Sequence, residues 1–164
     1  MVKSKVLLLA ILVSCFLIVN QVSASTEDII INYPTITPNS ELYPIKRLWE
    51  KGFHFVLFSQ KMKFNYNEGL LKERLAELKY VAEKKLLSEI ETSSNRFAHQ
   101  AGVTIEQLRN LNDKGRVDKT LDQFKSYSKT LASLRDLYEA NSSFWRLIQQ
   151  DIDTLNILSD KIKN

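Results

Sequence analysis

The sequence predicts an all-α fold, an up-and-down helical bundle of about four long helices plus one short aromatic helix. Three observations carry this expectation. In the stretch from Phe64 to Leu86, Leu71, Leu75, Leu78, Ala82 and Leu86 recur at steps of three and four between charged residues, which makes one apolar stripe on a long helix. All three prolines, Pro34, Pro38 and Pro44, precede that stretch, so helices can run long beyond it. The later periodic segments are joined by short links, and short links between amphipathic helices give antiparallel neighbours. With 164 residues, 44% hydrophobic and 26% charged, the chain is long enough for one domain with a real core.

The elements follow in order. Met1 to Ala24 has the three parts of a secretory signal: Lys3 and Lys5, the apolar run Val6 to Val19, and Val22-Ser23-Ala24 with small residues at the cleavage positions. Cleavage is expected after Ala24, leaving residues 25–39 as an extended leader and residues 40–164 as the bundle. Two alternatives stay open. The run could be retained as a membrane anchor, although it is shorter than the roughly 20 residues of a spanning helix. Leu12-Val13-Ser14-Cys15 also matches a lipobox, which would lipidate Cys15. The leader holds Ile29-Ile30-Ile31, and its prolines argue against a central strand or helix.

Ser40 to Phe58 is the first helix candidate, capped by Ser40, with Pro44 near the first turn. Ile45, Leu48, Trp49, Phe53 and Val56 share one face, and Phe55, Leu57 and Phe58 widen the apolar surface. This pattern predicts a short helix buried across the bundle; the functional alternative seats Trp49, Phe53 and Phe55 in a membrane interface or a partner groove, with one or more of them accessible. Gln60 to about Lys85 is the organising helix, where Arg74 with Glu77 and Lys79 with Glu83 read as a solvated, paired face. A turn is expected near Lys84 to Ser88, because a continuous helix through the next stripe (Leu87, Ile90, Phe97, Ala101, Ile105, Leu108) would be far longer than globular helices run. Gly102 followed by Thr104-Ile105-Glu106-Gln107 suggests a kink or restart with a capping box. Asn112 to Val117 reads as a loop, with Asp118 as cap of a fourth helix marked by Leu121, Phe124, Ser128, Leu131, Leu134 and Tyr138. After Ala140 to Ser143, Trp145, Ile148, Ile152, Leu155 and Ile162 mark the last helix.

Composition and motifs exclude most chemistry. Of the formal charge of +4, Lys3 and Lys5 contribute two, and the other basic residues are spread among acidic ones along helical faces, so nucleic-acid binding is not expected. Cys15 is the one cysteine, so a chain cleaved after Ala24 has neither disulfides nor cysteine chemistry. There is no Gly-rich phosphate loop, no Gly-x-Ser-x-Gly elbow and no His-Glu-x-x-His. Glu50 and His54, four apart, could offer one carboxylate and one imidazole to a metal, but a helical di-iron site needs more carboxylates and Glu-x-x-His pairs. Asp151-x-Asp153 starts like a calcium loop but has Asn156 at the turn glycine position and Ile162 at the twelfth. Asn141-Ser142-Ser143 matches a glycosylation sequon and reads better as a helix cap. Val103-Thr104-Ile105-Glu106-Gln107 is similar to the Leu-Thr-x-x-Gln element of small helical periplasmic chaperones, in one copy.

Two stretches, Thr37 to Lys51 (Thr-Pro-Asn-Ser-Glu-Leu-Tyr-Pro-Ile-Lys-Arg-Leu-Trp-Glu-Lys) and Lys72 to Lys79 (Lys-Glu-Arg-Leu-Ala-Glu-Leu-Lys), resemble an exported bacterial and archaeal domain-of-unknown-function family numbered five-six-six-seven. Asn95-Arg96-Phe97-Ala98 and the segment from Trp145 to Ile162 extend the likeness over most of the chain beyond the signal. The family pattern has Ser-Pro-Leu-Tyr where this chain has Ser40-Glu41-Leu42-Tyr43, and Pro44 stands in for the helix-start proline. The resemblance implies export and an all-α fold, and it carries over no catalytic residue.

The expectation is a non-enzymatic, extracytoplasmic domain that binds a protein or envelope partner, without cofactor or metal, with Trp49, Phe53 and Phe55 as its candidate surface. Peripheral membrane association is one form that binding takes. The rivals are a metal-binding or enzymatic bundle using Glu50 and His54, and a membrane-tethered lipoprotein or chaperone-like client binder.

Overall fold

A computed structural model describes residues 31–54 and 56–163, without the side chain of His54. The signal and lipobox readings, Ile29, Ile30 and Phe55 lie outside the described residues. Within them the chain forms one short helix and four long ones: α1 (Tyr43–His54), α2 (Gln60–Glu83), α3 (Leu87–Leu111), α4 (Lys114–Arg135) and α5 (Ser143–Lys163). The fold is the all-α bundle that the periodicity predicts.

Each boundary has a local cause. Pro44 is the second residue of α1, where its missing N–H costs nothing. Ser59 caps α2, its hydroxyl accepting the Met62 N–H at 3.1 Å. The break between α2 and α3 falls at Lys84 to Leu86, inside the expected turn. Lys85 takes the left-handed conformation at φ 53°, and the Leu86 N–H then reaches back to the Val81 carbonyl at 2.9 Å. Ser142 caps α5 by accepting the Trp145 N–H at 3.2 Å.

Three expectations are corrected. α3 runs without interruption from Leu87 to Leu111, so Gly102 is neither a stop nor a restart. Thr104 does not open a capping box: its hydroxyl bonds the Gln100 carbonyl (2.8 Å) and the Asn67 carbonyl (3.2 Å), buried in the seam between α2 and α3. The loop after α3 is shorter than the Asn-Asp-Gly composition suggests. Asn112 alone turns left-handed (φ 49°), Asp113 caps by accepting the Arg116 N–H at 3.3 Å, and α4 already begins at Lys114, so Asp113 takes the role expected of Asp118.

The helices alternate in direction as two hairpins. Asn67 on α2 meets Gln100 and Thr104 on α3, and Arg135 on α4 meets Gln149 on α5, both antiparallel arrangements. The hairpins pack with α3 along α5 and with a thinner contact between α2 and α4. Arg116 reaches Asn65 at 2.8 Å at one end of that contact, and the Tyr138 hydroxyl reaches the Ala82 carbonyl at 2.7 Å at the other. Thus α3, although joined to α4 by two residues, runs against α2 and α5. Leu71, Leu75, Leu78 and Ala82 of α2 are buried as the stripe predicts, against Phe97, Ala101 and Ile105 of α3, Phe124 and Leu131 of α4, and Ile148 and Leu155 of α5. Ile31 of the leader is buried in the same cluster, and the Tyr33 hydroxyl donates to Glu83 at 2.6 Å, tying the leader along α2.

Candidate binding surface

The helix α1 has two chemically distinct sides. Tyr43, Lys46 and Glu50 recur at steps of three and four, and so do Ile45, Leu48, Trp49 and Gly52 on the opposite side. An isolated amphipathic helix would turn the second set toward the bundle. The structure does the reverse. Trp49 is 71% exposed, Ile45 and Leu48 are similarly open, and Tyr43 is buried. The short helix buried across the bundle is therefore overturned for its apolar face: α1 lies with its polar side inward.

The reason sits on α2. Arg74 and Glu77, read from the sequence as a solvated pair, are 1% and 0% exposed. They lie on the flank of α2 beside the core stripe, and α1 covers them. Glu77 accepts from Arg74 at 2.6 Å, from Lys46 at 2.7 Å and from the Tyr43 hydroxyl at 2.8 Å. The Tyr43 oxygen in turn accepts from Arg96 of α3 at 2.9 Å. Glu50 accepts from both Arg74 and Arg47, and Lys46 also donates to Glu73 at 2.6 Å. Buried charges need partners of this kind, because each loses its hydration. An apolar α1 face placed there would strand Arg74 and Glu77. By contrast Lys79 and Glu83, at 3.3 Å and partly exposed, form the kind of surface pair the sequence suggests.

The electrostatics agree with a closed network. Burial works against the Glu77 charge, but Arg74 and Lys46 outweigh it and hold its carboxyl below the usual value. Burial, reinforced by the Glu77 charge, pushes the Tyr43 hydroxyl up to about 12. Glu77 is ionised and Tyr43 neutral across the physiological range. The carboxylates of this layer are each occupied by cations, so they act as structural acceptors holding α1 in one register.

Of the three residues singled out from the sequence, the structure places Trp49 on the open face. Phe53 turns the other way and is half-buried against Tyr66, ring centroids 5.2 Å apart. Phe55 lies outside the described residues. Sequence reasoning missed Val56 and Phe58 as open positions: Val56 is exposed, and Phe58, just before α2, is 89% exposed. Leu57 between them is buried. Period could not separate them, because three consecutive apolar residues in a turn follow no helical pattern. The outward face of α1 and the turn into α2 thus both leave apolar side chains open to water.

The stretches that carry the sequence resemblance supply this layer: Tyr43, Lys46, Arg47 and Glu50 from the first, Glu73, Arg74 and Glu77 from the second, and Arg96 from the third. The family model described as Domain of unknown function (DUF5667) matches residues 35–163. The chain belongs to that family. The match covers all five helices of the described residues and begins just before the segment that leads into α1. No curated protein and no solved structure matches the chain.

Other places for chemistry are sparse. Glu50, the carboxylate of the Glu50 and His54 pairing, is engaged by two arginines. Among the described residues no group of three or more His, Cys, Asp or Glu is placed to hold a metal ion, and no helix is long and apolar enough to cross a membrane. An open hollow of about 200 Å³ lies between the leader and α2, lined by residues such as Asn32, Tyr33, Gly69, Lys72 and Glu73. It is smaller than the roughly 300–1,000 Å³ of small-molecule pockets.

Proposed function

We propose that this DUF5667 domain is an exported, non-enzymatic binding domain of the cell envelope that meets its partner through the outward face of α1 and the turn into α2. The observation that carries this reading is the inversion of α1. A fold that buries Arg74 and Glu77 in order to hold a helix with Ile45, Leu48 and Trp49 facing water keeps apolar area out of its core. Apolar strips presented in that way are characteristic of interaction sites. The signal-like segment before residue 25 supports export, and the occupation of every carboxylate in the α1–α2 layer supports a structural role for it.

A photo-crosslinking residue in place of Leu48, which is 73% exposed, tests the surface in the native host. Adducts in the envelope fraction, to protein or to lipid, are expected from position 48 and not from position 125, an exposed lysine on α4. An envelope fraction in which position 48 forms no adducts, or forms the same ones as position 125, would remove the surface from the account.

A further inference from the structure

The side chains around the open strip narrow the chemistry of its partner. Between Leu42 and Asn67 the chain carries five Lys or Arg and one carboxylate, Glu50. Glu50 is turned inward onto Arg47 and Arg74, and Lys46 is turned inward onto Glu73 and Glu77. What this stretch presents to solvent is apolar and cationic. Trp49 and Phe58 stand open, Met62 continues them into the first turn of α2, and Lys51 and Lys61 are exposed beside them with Lys63 partly so.

A tryptophan and a phenylalanine on a helix-and-turn surface, interleaved with lysines and with one exposed carboxylate, Glu41, at the far end just before α1, match the boundary between lipid headgroups and acyl chains. Lysines near an anionic surface add attraction that an uncharged partner would not supply. A second copy of the chain fits poorly, because a two-fold contact would bring one cationic strip against another. Resting on the reading that the α1 strip is the binding surface, we propose that its partner is an anionic lipid surface. Trp49 and Phe58 enter the interface, and Lys51, Lys61 and Lys63 lie against lipid phosphates. The charged layer beneath α1 holds the strip outward in water, so the surface is formed before it meets the bilayer.

The test uses the chain as expected after cleavage, beginning at Ser25 and carrying Trp145→Phe, which leaves Trp49 as the one tryptophan, titrated with vesicles of mixed phosphatidylglycerol and phosphatidylcholine and with phosphatidylcholine alone. The Trp49 emission should move to shorter wavelength with the anionic vesicles and weaken with added salt. Replacing Lys51, Lys61 and Lys63 by glutamine should lower the partition about a hundredfold. An equal response to both vesicle types, or a response unchanged by the glutamine variants, would overturn the assignment. If Trp49 responds to neither vesicle while position 48 forms a protein adduct in the host, the partner is a protein and the lipid assignment alone falls. If neither occurs, the binding surface falls with it.

Discussion

Replacing Glu77 with alanine is expected to lower the stability of the domain by about 3–5 kcal/mol, a drop in Tm of roughly 10–20 °C for a domain of this size. The size follows from what the substitution leaves behind. Arg74 would stay buried with part of its counter-charge gone, and the Tyr43 hydroxyl would lose its acceptor. Lys46 would keep Glu73, so the loss falls mainly on Arg74 and Tyr43. The same measurement on Glu83→Ala, which breaks the exposed pair with Lys79 and the hydrogen bond from Tyr33 at the edge of the same helix, should show a change of no more than about 1 kcal/mol. Substituting Arg74 and Glu77 together by apolar residues of similar volume should recover much of the loss, because no buried charge is then unmatched. Chemical denaturation of the three variants decides it. Equal small effects for Glu77→Ala and Glu83→Ala would mean that Glu77 lies in water.

Stability should also fall as pH rises from about 4 to about 7, through Asp151. This residue holds a core position of α5, between Ile148 and Leu155, and is almost wholly buried. One of its oxygens is buried without a partner, and Ser94 bonds to the carboxyl. Burial raises its pKa to about 7, against which the Ser94 hydrogen bond is the smaller influence. A carboxyl raised in the folded state keeps its proton there while the unfolded chain releases it. Its contribution is therefore complete below about pH 4 and is lost as pH rises toward 7, on the order of 4 kcal/mol. Glu77, lowered by its partners, acts in the opposite sense and loses its contribution only as pH falls below the ordinary carboxylate range. Denaturation measured from pH 4 to 8 should show the decline, and Asp151→Asn should remove most of it while leaving the protein more stable at pH 8. A profile that is flat across this range and unchanged by Asp151→Asn would contradict the buried, protonated carboxyl.

The sequence was clear where one period governed. Leu71, Leu75, Leu78 and Ala82 announced the core side of α2, and the turn at Lys84 to Leu86 followed from the length a single helix would otherwise reach. It was misleading where charge stood on a flank that another element covers. Arg74 and Glu77 are spaced like a surface pair, and spacing along one helix says nothing of a second helix lying over it. A signal was present in the pairing of stretches. Tyr43, Lys46 and Glu50 form a polar row that matches, in reversed direction, the Glu73, Arg74 and Glu77 row of α2, and opposed rows of complementary charge suit an antiparallel contact. Reading α1 by its apolar row alone hid this. Asp151 escaped for a related reason: paired with Asp153 it invited comparison with a calcium loop, whereas its place in the row from Ile148 to Leu155 is a core position. Trp49, singled out for a test of exposure, stands open, while Phe53 was grouped with it because a five-residue face is broader than the part that stays open.

The proposed binding face exists only if α1 lies polar side down with Trp49 in water. The direct measurement is collisional quenching of Trp49 fluorescence by acrylamide and iodide in the folded Trp145→Phe protein without lipid or partner. Quenching close to that of the unfolded chain, with red-shifted emission, is the predicted result. A blue-shifted emission that both quenchers fail to reach would place Trp49 inside the bundle. The inverted helix, the binding face and the lipid contact would then fall together.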